Sequence, residues 1–300
     1  MHPYAVETDR LVLRALSPED AEAVFVWCGD PQVNRYMPYT LYTRVEDVHA
    51  WLTTAADEQW AFGFVRKADG LLMGSGSVTP GDQPGDPWEV GYNLRRDCWG
   101  QGYATEAARA MIGFAFRTFG ARDFGANHAR ENPASGHVMR RCGMVFEHEG
   151  EYARFDGSEV FPADFYRLHL DHDGRARQYR FVPMAEAQLT VCRSWGHFLP
   201  AFPEAHRFAV LDEADQLTGA AWYRPEADAL TMSPALCPEQ TGLGAGEQFI
   251  RACAAFGRER FGRRLPVAVD AVLFSDRGRA ACLQAGFRPA DEAGRLVLAP

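Results

Sequence analysis

The sequence predicts an α/β chain in which one fold occurs twice, and three observations predict it. Some stretches alternate apolar and polar residues at strand spacing, while others repeat apolar residues at helical spacing. Between Trp88 and Phe119 a strand candidate runs through a glycine-rich turn into a helical stretch. The order of glycine turn, helix, strand and helix then returns in the second half at matched spacing.

The elements follow in chain order. Leu11 to Leu16 alternates and reads as a strand. Ser17-Pro18-Glu19-Asp20 supplies an N-cap, a proline at the first helical position and an acidic first turn, so a helix is expected towards Gly29. Pro31 to Thr43 holds Tyr36, Tyr39, Tyr42 and two prolines and reads as a loop, followed by a helix from about Val45 that carries Trp51. Strands are expected at Trp60 to Arg66 and Leu71 to Val78, joined at Asp69-Gly70, a strong hairpin signal. Trp88 to Leu94 leads into Trp99-Gly100-Gln101-Gly102-Tyr103-Ala104. In the helix from Thr105, Ala108, Met111, Ile112, Ala115 and Phe119 share one face, and Gly120 stops it. A strand near Phe124 to Ala129, a helix opened by Asn132-Pro133-Ala134-Ser135 and closed at Cys142-Gly143, and strands at Met144 to Phe155 and Val160 to His169 complete the first half. Asp171 to Arg177 reads as a linker, which divides the chain into domains at 1–172 and 178–300.

In the second half, Gly242-Leu243-Gly244-Ala245-Gly246 opens a helix ended by Gly262. A strand at Val267 to Phe274 and a helix from Ser275 to Gly286 follow. Gly102 to Asn132 spans 30 positions and Gly244 to Ser275 spans 31, while Asn132 to Gly143 and Ser275 to Gly286 both span 11.

Composition narrows the function. Hydrophobic residues make up 47% of the 300 and charged residues 24%, enough for two ordinary cores. The net charge of -9 argues against a nucleic-acid partner and mildly favours a cationic one. Seven scattered cysteines without a CxxC pair suit free thiols in a reducing cytosol. No segment reads as a signal peptide or a membrane span, so a cytoplasmic location without membrane contact is expected.

From Glu7-Thr8-Asp9-Arg10-Leu11 to about Leu168 the residues resemble the GNAT family of N-acetyltransferases, closest to its RimJ/RimL branch. Three stretches carry the resemblance: Glu89-Val90-Gly91-Tyr92, Trp99 through Ala107, and Asn132-Pro133-Ala134-Ser135 running to Arg141-Cys142-Gly143-Met144. The second half is similar to the same family more faintly, from Tyr179 to Leu298. The resemblance implies a tandem, duplicated acyl-CoA N-acyltransferase fold, with a mixed central sheet flanked by helices. It implies that the fourth and fifth strands splay and that acetyl-CoA lies between them as co-substrate, without a metal. Its pyrophosphate would meet Trp99, Gly100, Gln101, Gly102, Tyr103, Ala104 and Thr105. Independently of the family, Gly100 and Gly102 let the backbone approach a phosphate, and a helix N-terminus favours an anion.

Acetyl transfer to an amine needs a base, an oxyanion site and help for the departing thiolate. Glu89 is the candidate general base, although a strand Glu making a structural hydrogen bond looks the same in sequence. The family's fourth strand is bulged near Asn93 and Leu94, whose N–H groups the resemblance makes oxyanion donors. Many relatives carry Tyr seven positions after Asn132; here Met139 stands there, and Ser135 is the candidate to assist the thiolate, with a cap as the bland alternative. Asn132 either meets the pantetheine arm or closes its turn. Cys98 and Cys142 need no nucleophilic role. The three tyrosines line the acceptor side or form a surface cluster. His169-Leu170-Asp171-His172 is too thin for a metal site.

In the second half Ser275 replaces the Asn, Cys282 falls at the usual Tyr position, and the counterpart of Glu89 is near Thr231. A degenerate copy is expected, acting as an internal pseudo-dimer partner in a monomer or a weak homodimer. The reading is transfer of acetyl to a primary amine of a small molecule or peptide. The alternatives are a non-catalytic acyl-CoA-binding module and a tandem enzyme of the mycothiol-synthase type, active in its second copy.

Overall fold

Ser17 and Asp20 open the first helical segment: the Ser17 N–H donates to the Asp20 carboxylate at 2.9 Å, and Pro18 takes the first helical position. This turn begins the first of two units, Met1–Met144 with Gly150–Leu168, and Val145–Glu149 with His169–Pro300. The division falls a few residues before the linker read from the sequence and groups the start of one strand with the second unit. The computed structural model describes residues 5–54, 60–83, 85–171, 173–195, 205–242, 245–270, 274–291 and 294–300. Gly244, His172 and residues 271–273 lie outside these.

The first unit runs β1 (Val6–Glu7), β2 (Leu11–Arg14), α1 (Ala21–Cys28), α2 (Pro31–Asn34), α3 (Val45–Thr54), β3 (Ala61–Arg66), β4 (Leu72–Thr79), β5 (Trp88–Leu94), α4 (Tyr103–Phe119), β6 (Asp123–Ala129), α5 (Pro133–Arg141), β7 (Val145–Ala153) and β8 (Val160–His169). Its sheet is ordered β1-β2-β3-β4-β5-β6-β8-β7. Two elements depart from expectation. Val6–Glu7 adds an edge strand antiparallel to β2. The tyrosine loop also begins with a helical turn, because the Asp30 carboxylate caps the Gln32 N–H and Pro31 sits at the first position. α1 and α3 bury Val24, Trp27, Val48 and Leu52 together. α4 buries Ala108, Met111, Phe114 and Ala115.

The second unit runs β9 (Arg180–Pro183), α6 (Glu186–Ser194), β10 (His206–Leu211), β11 (Leu217–Pro225), β12 (Leu230–Leu236), α7 (Gly246–Phe261), β13 (Val267–Asp270), α8 (Asp276–Gln284), β14 (Arg288–Pro289) and β15 (Arg295–Leu298). Its sheet order, read from β9, is β9-β10-β11-β12-β13-β15-β14. This is the order of β2-β3-β4-β5-β6-β8-β7, strand for strand, so the fold is duplicated. The register agrees: the parallel pairing begins Trp88↔Phe124, Glu89↔Gly125 in one unit and Leu230↔Val267, Thr231↔Ala268 in the other. Thr231 therefore occupies the place of Glu89.

A side-chain clamp is also duplicated. In the first unit the Glu106 carboxylate, four residues after Gly102, accepts from the Thr8 hydroxyl (2.6 Å), the Arg10 N–H (2.9 Å) and Arg10 Nε (2.6 Å). Burial alone would raise this carboxyl, but Thr8 and Arg10 lower it. In the second unit Gln248, four residues after Gly244, accepts from the Arg177 N–H (2.9 Å) and donates to the Arg175 carbonyl (3.4 Å). The stretch read as a linker is thus held against the first turn of α7.

Thr231 is buried and donates to Glu226 at 2.7 Å, and Arg224 and Arg295 also bond that carboxylate. Burial opposes this carboxylate, yet the Thr231 hydroxyl, Arg295 and Arg224 hold it at about 2. A carboxylate depressed on folding stabilises fully above its ordinary value and stops doing so as pH falls through its folded value. Glu226→Gln should therefore destabilise the chain at neutral pH, with the difference vanishing as pH drops from about 4.5 towards 2. Urea unfolding of both forms across that range measures it, and a pH-independent difference would sink the assignment.

Candidate active site

β5 pairs with β4 from Gly74↔Leu94 to Thr79↔Glu89, without a register shift. Against β6 it pairs only at Trp88 and Glu89. Beyond Glu89 the two strands part. The Arg95 N–H reaches the Met73 carbonyl at 2.9 Å, so ladder alternation turns the peptide groups of Asn93 and Gly91 towards β4 and those of Tyr92 and Leu94 towards the gap. This corrects two expectations. β5 is not bulged at Asn93 and Leu94; its edge is opened by divergence from β6. Asn93 is no N–H donor to the gap, whereas Leu94 is, joined by Tyr92. The Leu94 carbonyl accepts from the Trp99 indole N–H at 2.9 Å, which sets Trp99, 48% exposed, at the end of the gap.

Side chains on a strand alternate between its two faces, and here they divide the chemistry. Glu89, Gly91 and Asn93 face one side. Asn93 donates to the Tyr39 hydroxyl at 3.0 Å and accepts from the Ser75 hydroxyl at 2.9 Å; the Tyr39 hydroxyl also lies 3.7 Å from Cys28 Sγ. Burial pushes the Tyr39 phenol far above its ordinary range, so it stays protonated and is no base. Glu89 is exposed, and its side chain makes no hydrogen bond or ion pair among the described residues. On the opposite face the Tyr92 hydroxyl lies 3.0 Å from the Ser135 carbonyl and 3.1 Å from Ser135 Oγ.

Beyond Trp99 the chain turns into α4 through Gly100 and Gly102, both left-handed at φ 73° and 81°. A side chain there would be strained, and a Cβ on Gly102 would stand 3.5 Å from the Arg10 guanidinium. Arg10 donates to the Gln101 carbonyl at 3.0 Å and lies over the Tyr103 ring. The first turn of α4, Tyr103, Ala104 and Thr105, therefore presents its N-terminal peptide groups beside a cation. Asn132 closes the turn into α5 through its backbone, accepting from the Ser135 N–H at 3.2 Å. Burial raises the Cys142 thiol to about 11, which keeps it a thiol. Among the described residues no cluster of His, Cys, Asp or Glu fits a metal ion. No helix of the described residues is long and apolar enough to cross a membrane.

The residue sequence reasoning missed here is Arg154, on the strand-to-turn boundary after β7. Its guanidinium, 11% exposed, donates to the carbonyls of Asn34 (3.4 Å), Arg35 (3.1 Å), Met37 (2.8 Å) and Tyr39 (3.0 Å), and Nε pairs with Glu159. The Tyr152 hydroxyl adds a 2.7 Å bond to the Tyr36 carbonyl. The tyrosine loop is thus held from the β7–β8 hairpin, through partners that no local motif announces. Arg154→Met should cost on the order of 2–4 kcal/mol, because the Arg35 and Met37 carbonyls lose their donor while those of Asn34 and Tyr39 keep only the Met37 N–H and the Asn34 amide. Denaturant unfolding checks the stability change, and an unchanged midpoint would contradict it.

Residues 10–145 match the family model described as acetyltransferase (GNAT) domain. The chain is 27% identical over 168 residues to "Uncharacterized N-acetyltransferase p20" of Bacillus licheniformis, covering 54% of this chain and 93% of that protein. It is 31% identical over 152 residues to "FsC-acetyl coenzyme A-N(2)-transacetylase" of Aspergillus fumigatus, covering 47% of this chain and 64% of that protein. A crystal structure of a GNAT-family acetyltransferase from Bacillus anthracis superposes with TM-score 0.50 at 24% identity, over 55% of this chain and 98% of its own, a likeness of fold.

Proposed function

We propose that the first unit transfers acetyl from acetyl-CoA to a primary amine by direct attack in a ternary complex. The observation that carries this reading is the opening of β5 from β6 beyond Glu89, directly ahead of the left-handed turn into α4. Unpaired peptide groups inside a protein need partners, and the two amides of a pantetheine arm fit an open strand edge. The residues therefore suit the co-substrate. The first turn of α4, with Gly100 and Gly102, holds the pyrophosphate. The Tyr92 and Leu94 N–H groups face the place where an oxyanion would form. Glu89 takes the amine proton on one face of β5, and Ser135 assists the departing sulfur from the other.

The acceptor is a small-molecule amine or a peptide N-terminus, in the setting of the RimJ/RimL-like branch. Activity belongs to the first unit in this reading. The second unit opens in the same way, but its gap-facing counterpart of Tyr92 is Pro234, which has no N–H to give. Its carboxylate nearest the Glu89 position, Glu226, is tied in ion pairs. Calorimetry with CoA, and acetyl-CoA-dependent thiol release with spermidine, kanamycin and a tetrapeptide bearing a free N-terminus, test the proposal. CoA binding without thiol release from the whole panel would favour a binding module.

A further inference from the structure

Ser135, in the first turn of α5, has a hydroxyl to offer, and Tyr92 of β5 is the side chain that holds it. We propose that Tyr92 is a positioning residue that acts through Ser135, delivering the serine hydroxyl to the departing sulfur. The inference rests on the acetyltransferase reading above and adds a residue to it.

A phenol carries one proton and can accept as well. The Ser135 carbonyl, 3.0 Å away, only accepts, so at rest the phenol donates there and its oxygen receives the Ser135 O–H at 3.1 Å. Both hydroxyls are then satisfied. As negative charge grows on sulfur, the Ser135 O–H turns to it and the phenol proton swings from the carbonyl to Ser135 Oγ. The carbonyl keeps its helical N–H partner, so nothing is left unpaired. The chain of phenol, serine and sulfur polarises in one direction, which strengthens the last bond. No proton leaves either oxygen. The amine nitrogen forms its bond to the acetyl carbon, the C–S bond breaks, the amine proton goes to Glu89, and the thiolate takes its proton from solvent after departure.

Burial supports the arrangement, because it raises the Tyr92 phenol well above its ordinary range and keeps it a donor. Packing supports it as well. A Cβ on Gly136 would come 2.4 Å from His128 Nε2, so the first turn of α5 sits tightly against the strand beside it. That strand is β6, so Ser135 is fixed on the β6 side and its bonds to the Tyr92 hydroxyl reach across to β5.

The test is a double-mutant cycle in the full chain, read with acetyl-CoA and whichever of spermidine, kanamycin or the tetrapeptide turns over. Tyr92→Phe keeps the ring and removes the hydroxyl. Its kcat should fall about ten- to a hundredfold, the scale of one hydrogen bond to a developing charge, with KM for acetyl-CoA within twofold. Ser135→Ala should fall at least as far. Tyr92→Phe added to Ser135→Ala should cost nothing more, since the serine through which it acts is gone. Melting temperature and CoA titration of each variant separate this from misfolding. Should the two losses multiply, or should Tyr92→Phe change only KM, Tyr92 does not act through Ser135. Wild-type protein that releases no thiol with any of the three amines removes the acetyltransferase reading itself, and this inference with it.

Discussion

Glu89→Gln is expected to lower kcat by about 10²- to 10⁴-fold, the usual contribution of a positioned general base. The substitution keeps length and packing. It falls at the last paired position of β5 against β6, on the face shared with Asn93 and hence with Tyr39, away from Ser135. CoA affinity should barely move, because the peptide groups that face the gap belong to Tyr92 and Leu94. The loss should shrink as pH approaches the acceptor's own pKa, where the free amine no longer needs a base. A pH–rate profile of both forms measures it. A variant running at near wild-type rate at neutral pH would make Glu89 a structural residue. Tyr39 could not replace it, since burial keeps that phenol protonated.

Gly102→Val is expected to weaken CoA by about 2 kcal/mol or more, roughly thirtyfold, on the scale of a lost charge-assisted hydrogen bond. Two effects combine. Valine is strained at φ 81°, and the methyl groups beyond its Cβ, which itself would stand in ordinary contact at 3.5 Å, would crowd the Arg10 guanidinium that lies against Gln101 and Tyr103. Gly102→Ala carries the first effect with less of the second and should fall between the two. Calorimetric titration gives the affinities, and circular dichroism confirms folding. Unchanged affinity in a folded Gly102→Val would remove this turn from the site.

Local chemistry made much of the molecule legible. Trp88–Leu94 was readable to the residue, α4 was readable from its apolar face and its stop at Gly120, and α5 from its 11-residue spacing to Gly143. Those features depend on periodicity and caps, which neighbours in sequence specify. α2 was missed although Asp30-Pro31 is a cap and first-turn pair, because three tyrosines and a second proline dominated the stretch. The edge strand at Val6–Glu7 has too few residues to show a period. What could not be read were partners far apart in sequence. Arg154 bonds residues more than a hundred positions away, and Tyr92 meets Ser135 across 43. The direction of β5's peptide groups depends on register with β4, so the sequence names Asn93 with Leu94 where the register turns Tyr92 and Leu94 to the gap. Thr231 was legible as the counterpart of Glu89, but Glu226 beside it arrives from the preceding turn.

The duplicated clamp has a consequence for how each unit assembles. Thr8 and Arg10 leave the ribosome more than ninety residues before Glu106, and Arg177 precedes Gln248 by 71. Each clamp closes a long loop, so its entropy must be lost before its hydrogen bonds form. Such non-local closure belongs to slow, high-contact-order folding. The turn ahead of each long helix should thus be among the last parts to acquire native order. In amide-exchange pulse labelling, protection of the Arg10 and Glu106 amides should lag behind the β3–β4 hairpin, whose Asp69–Gly70 turn closes locally.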